Sequence, residues 1–135
     1  MTKEGSPLVV LTRQLREALQ NKIEEPVEIA MRYGNPDPRT AFDALLKRAP
    51  GIEEVIAVPL YPHYAMSSYE TAVEYAKEVH KKNKYSFRLS FVEPFYNETH
   101  YINALSEVFS HFLEQVYDHL LFSYQGVPGR HIRKS

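Results

Sequence analysis

The stretch Glu54-Val55-Ile56-Ala57-Val58-Pro59-Leu60-Tyr61-Pro62-His63-Tyr64-Ala65-Met66-Ser67-Ser68-Tyr69-Glu70 decides the fold. Residues 54–61 form the most strand-like run in the chain, and the prolines and polar residues that follow break it into a loop. Ser67 with Glu70 three residues later forms a capping box. It predicts a helix whose inner face carries Tyr69, Ala72, Val73, Ala76 and Val79. Strand, loop and helix in succession are the building unit of an α/β domain.

The same alternation extends in both directions. Toward the N-terminus, Asp37-Pro38 reads as a helix cap followed by proline, with Phe42, Leu45, Leu46 and Ala49 facing the core and Pro50-Gly51 as the stop. Before it, Val27-Glu28-Ile29-Ala30-Met31-Arg32-Tyr33 reads as a strand ended by Gly34-Asn35-Pro36. Ser6-Pro7 opens the first helix, with Leu8, Leu11, Leu15, Ala18 and Leu19 in one apolar stripe. Toward the C-terminus, residues 85–92 alternate as a third strand. A long helix from about Glu98 carries Ile102, Leu105, Phe109, Phe112 and Val116 inward, and residues 119–124 read as a fourth strand.

Helices alternating with short apolar strands imply parallel pairing through right-handed crossovers. Strands buried on both faces fit that arrangement. The expected fold is therefore α/β, a Rossmann-like parallel four-stranded sheet flanked by helices, in a single domain over residues 1–135. Such a domain normally starts with a strand and closes with a helix, so both ends read as cut.

Bulk composition narrows the function. The 135 residues are 44% hydrophobic and 24% charged, ordinary for a globular protein able to bury a core. A net charge of −1 offers no electrostatic reason for a nucleic-acid or anionic-membrane partner. With no cysteine, disulfides, thiolate metal sites and cysteine-ligated iron–sulfur clusters are excluded. No stretch is long and apolar enough to span a membrane, and no signal-peptide hydrophobic region opens the chain, so a cytoplasmic protein is expected. Ten tyrosines and seven phenylalanines, with no tryptophan, suit a core or a pocket for a flat ligand.

Ligands of open parallel sheets bind beyond the carboxyl ends of the strands. Four loops qualify: residues 32–36, 61–68, 93–97 and 123–128, all rich in tyrosine, proline and polar groups. No GxGxxG, P-loop or nucleophile elbow is present, so nucleotide binding and acyl transfer lack their parts. The six histidines show no zinc-site spacing. Glu93, the one acid at a strand end, reads as a structural hydrogen-bonder, and His63 either lines a pocket or packs in its loop.

Four blocks carry a family resemblance: Gly5-Ser6-Pro7-Leu8, Met31-Arg32-Tyr33-Gly34-Asn35-Pro36, Pro59-Leu60-Tyr61-Pro62-His63-Tyr64 and Phe122-Ser123-Tyr124-Gln125-Gly126-Val127-Pro128. In order and spacing the chain resembles ferrochelatases, which insert ferrous iron into a porphyrin in heme biosynthesis. The resemblance covers essentially the whole chain. It implies a partial N-terminal domain of a two-domain enzyme, truncated at both ends. It also implies Fe²⁺ as a substrate, no permanently bound cofactor, and protoporphyrin IX or coproporphyrin III as the porphyrin.

The family's catalytic and metal-facing histidine maps onto Gln125. By the same resemblance Arg32 and Tyr33 line the cleft, and Tyr61, His63, Tyr64, Ser123 and Tyr124 rim it. Metallation must remove two pyrrole protons. An imidazole accepts them near neutral pH, whereas an amide has no proton-accepting step there. The expectation is a domain that binds porphyrin without catalysis. Two alternatives stay open: a stand-alone tetrapyrrole-binding module, like the small cobaltochelatases that act as dimers, and a non-catalytic α/β interaction domain. For the truncated domain, an uncovered sheet edge and a missing partner domain predict self-association or poor solubility.

Overall fold

Proline at the first helical position costs no hydrogen bond, because the first amides of a helix lack partners, and Pro7 opens α1 (Pro7–Gln20) in this way. The computed structural model describes residues 6–113, 118–119, 121–123 and 126–131. After α1 come α2 (Pro38–Arg48), β1 (Glu54–Ala57), a π-helical turn (Met66–Glu70) and α3 (Thr71–Lys82). These are followed by β2 (Arg88–Phe91), α4 (Thr99–Leu113) and a 3-10 turn (Gly129–His131). The chain divides into two compact units: the segment up to Ala57 with Ala72–Ser90, and Val58–Thr71 with Phe91 onward.

The first unit holds the hydrophobic core. Phe42 and Leu45 from α2, Val55 from β1, Val79 from α3 and Phe87 are buried together, with Leu46, Ile52, Tyr75, Ala76, Tyr85 and Leu89 packed against them. The Asp37 carboxylate caps α2 by accepting from the Thr40 hydroxyl at 2.6 Å and the Thr40 amide at 2.9 Å. Those bonds hold its pKa below the usual value. After α2, Gly51 turns the chain at φ +88°, a conformation that favours glycine.

β1 and β2 form a two-stranded sheet, and α3 is the crossover that parallel strands require. Glu54 on β1 accepts from Arg88 at 2.6 Å and from the Ser90 hydroxyl at 2.5 Å, both on β2. This pairing lowers the Glu54 pKa.

The expected four-stranded sheet is corrected to two strands among the described residues. Residues 27–33 do not form a strand, and at both ends of the run the backbone bonds elsewhere. The Val27 carbonyl accepts from Arg16 Nε and from Arg48, each at 3.0 Å, while the Val27 amide donates to Gln20 at 2.9 Å. The Met31 amide donates to the Pro36 carbonyl at 2.7 Å and closes a loop. Of the fourth run, residues 119 and 121–123 form no strand, and residues 120 and 124 lie outside the described residues.

Burial on both strand faces is also corrected. Val55 is buried, but Ile56 is 63% exposed on the opposite face. The strand stops at Ala57, ahead of Pro59, which has no amide for a ladder; the Tyr61 amide instead turns back to the Pro59 carbonyl at 2.8 Å. The Ser67 capping box does not form. The cap is Ala65, with no side-chain bond, and the segment enters α3 through a π-helical turn.

Two apolar stripes remain outside the core. α1 buries no residue, and its Leu8, Leu11, Leu15 and Leu19 are exposed. Polar contacts tie α1 down instead: Arg16 and Arg48 both reach Glu28, at 3.4 and 2.8 Å. In the second unit, α4 likewise buries none of the residues expected inward, and Ile102, Phe109 and Phe112 are exposed. Phe109 meets Phe122 edge to face at 5.8 Å; Val116 lies outside the described residues.

Candidate functional site

The site residues of the first unit sit on the loop that the Met31–Pro36 bond closes. Gly34 has φ +86° there, and the Asn35-Pro36 peptide is cis. The loop presents Arg32 with its guanidinium carbon 4.5 Å from the Tyr33 ring centroid and 4.7 Å from that of Tyr75 on α3. A guanidinium at these distances is drawn to the electron-rich faces of the rings. Tyr33 is 74% exposed, whereas Tyr75 packs against the core.

The second unit gathers the loops that follow β1 and β2. His63 stacks on Tyr96, with centroids 5.2 Å apart and planes 15° from parallel. Thus two of the four loops singled out by sequence meet through a pair of rings. His63 is exposed, so its imidazole edge stays open to solvent. Tyr64 lies 6.0 Å from Tyr69, the one buried ring of this group. The Tyr69 hydroxyl donates to the Val92 carbonyl at 3.0 Å. Burial raises the pKa of both phenols, and nearby carboxylates add to it: Glu70 beside Tyr64, Glu93 beside Tyr69. Both therefore remain protonated donors across the physiological range.

Tyr61 is half-buried and Ser123 is exposed. Tyr124 and Gln125 lie outside the described residues. Beyond them, the His131 amide donates to the Pro128 carbonyl at 2.8 Å and forms the 3-10 turn. Among the described residues no three His, Asp or Glu side chains cluster as a metal site, and no helix is long and apolar enough to cross a membrane.

Sequence reasoning missed Tyr75 as the partner of Arg32, although it lies three residues after Ala72 and four before Val79 on the inward side of α3. Tyr96 stood in a loop already singled out, but no sequence signal paired it with His63. In the first unit, a guanidinium held between rings can meet an anionic ligand; in the second, the stacked rings offer a face to a flat one.

The ferrochelatase family model matches residues 1–135. Among similar proteins, the ferrochelatase of Pseudomonas entomophila (strain L48) is 46% identical over 134 residues, covering 97% of this chain and 39% of the relative. That of Pseudomonas syringae pv. syringae (strain B728a) is 42% identical over 132 residues, with 97% and 38% covered. That of Opitutus terrae is 39% identical over 136 residues, with 99% and 39% covered. The chain thus spans about two fifths of the length of the curated relatives it matches.

Proposed function

Because the chain belongs to the ferrochelatase family, we propose that it forms one wall of the porphyrin cleft of an iron-inserting enzyme of heme biosynthesis. Its substrates are a porphyrin, protoporphyrin IX or coproporphyrin III, and ferrous iron. By its resemblance to the family, Arg32 and Tyr33 belong to the lining of that cleft, Tyr61, His63, Tyr64, Ser123 and Tyr124 to its rim, and Gln125 takes the sequence position of the family's histidine. The reaction takes place in the cytoplasm.

The observation that carries this reading is the family match along the entire chain, with every residue of the four signature blocks inside it. Within each unit the chemistry suits such a ligand: the second unit stacks His63 on Tyr96, and the first holds the Arg32 cation against Tyr33 and Tyr75. Where the family carries histidine, Gln125 has an acceptor oxygen and two donor protons but no basic lone pair near neutral pH. Its oxygen is also a weaker ligand than imidazole for ferrous iron. The wall therefore binds porphyrin and does not take up the pyrrole protons.

The test has two parts. Absorbance titration of this chain with each porphyrin should give saturable binding without metallation when Fe²⁺ is added. A chimera of the Pseudomonas entomophila enzyme, with this chain replacing the matching segment, should metallate at least about 100-fold more slowly than its Gln125→His form, the lower range of general acid–base effects. Equal rates for the two chimeras would refute the role given to Gln125.

A further inference from the structure

Arg32 lies against two rings that differ in how firmly they are held. Tyr33 is its neighbour in sequence and is 74% exposed, so little besides the loop fixes that ring. Tyr75 lies on α3, and its ring packs against the cluster of Phe42, Leu45, Val55, Val79 and Phe87. An arginine side chain has many rotamers, and a ring anchored in a core removes most of that freedom at the position it contacts.

We infer that Tyr75 is the positioning residue for Arg32: its core-anchored ring, 4.7 Å from the guanidinium carbon, aims that cation at the bound porphyrin. The inference rests on the proposed function, because it concerns how Arg32 meets the ligand. Tyr75 acts through Arg32 and has no contact of its own to make. Its face supplies the interaction, so the phenol oxygen is dispensable and the aromatic ring is not.

A double-mutant cycle in this chain tests the inference, with binding of coproporphyrin III read by absorbance titration and folding of each variant checked by thermal unfolding. Tyr75→Leu keeps apolar bulk against the core but removes the π face. It should weaken binding about fivefold, the scale of a partly desolvated cation–π contact. Tyr75→Phe should bind within about twofold of the parent, because it keeps the face. In an Arg32→Ala background, Tyr75→Leu should have no further effect.

An equal loss from Tyr75→Leu with and without Arg32 would mean that Tyr75 acts by packing alone. That result, or no loss from Tyr75→Leu while Arg32→Ala weakens binding, would overturn this inference and leave the proposed function standing. If the parent chain binds neither coproporphyrin III nor protoporphyrin IX, the proposed function and the inference fall together; if it binds protoporphyrin IX alone, the cycle is read with that porphyrin.

Discussion

Replacing Phe87 with alanine should remove about 4 kcal/mol of stability, a large part of what a domain of this size possesses. Phe87 is 2% exposed and stands among three other rings: Phe42 at 5.4 Å, Tyr85 at 5.3 Å and His80 at 4.9 Å between centroids. Burial of a phenylalanine side chain contributes about 1.5–3 kcal/mol. The edge-to-face contact with Phe42 and the stack on Tyr85 add about 0.5–1.5 kcal/mol each. The substitution isolates ring packing, because the backbone acceptor survives it: His80 Nε2–H donates to the Phe87 carbonyl at 2.8 Å. Urea unfolding followed by far-UV circular dichroism measures the loss as a lower midpoint at constant slope. Phe87→Leu, which keeps most of the apolar volume but loses both ring contacts, should lose about 1–3 kcal/mol. A loss below about 1 kcal/mol for Phe87→Ala would refute the assignment of this ring cluster as the folding core.

The Tyr85 phenol, partly buried and donating to Asp43 at 2.6 Å, has its pKa pushed up to about 12 from 10.0. A raised phenol pKa favours the protonated folded form, so its stabilisation is complete below pH 10 and is lost between pH 10 and about 12. Tyr85→Phe should flatten the alkaline fall in stability over that window, as read from unfolding midpoints. Asp37→Ala should cost about 1 kcal/mol, the usual worth of a helix cap, and thermal unfolding would register it. The exposed stripe of α1, where Leu8 is 67% and Leu11 63% accessible, should drive self-association. Light scattering should then give a mass above that of one chain, falling toward it in Leu11→Lys; a parent that stays monomeric at high concentration would refute this.

Much of the helical framework was legible from local chemistry. Pro7 and the Asp37-Pro38 pair start their helices where expected, because capping and proline geometry involve only neighbouring residues. The capping box at Ser67 failed for the opposite reason: the pattern was right, but the backbone enters α3 through a π-helical turn capped at Ala65. In the strand expected over residues 27–33, arginine and glutamine side chains from α1 and α2 take both backbone groups of Val27, and those partners lie 7 to 21 residues away in sequence. Of the site, the loops and their residue types were legible, whereas the pairing of rings within them was not.

The order of the chemistry-bearing blocks, the absence of cysteine and the presence of glutamine at position 125 are determined by the sequence alone, since they are matters of composition and covalent order. Tertiary structure decided that Arg32 rests on Tyr75, that His63 stacks on Tyr96, and that the leucines of α1 face outward. Periodicity identifies the apolar side of a helix but not what lies opposite it. Burial and ring contacts depend on surfaces from distant parts of the chain meeting in space.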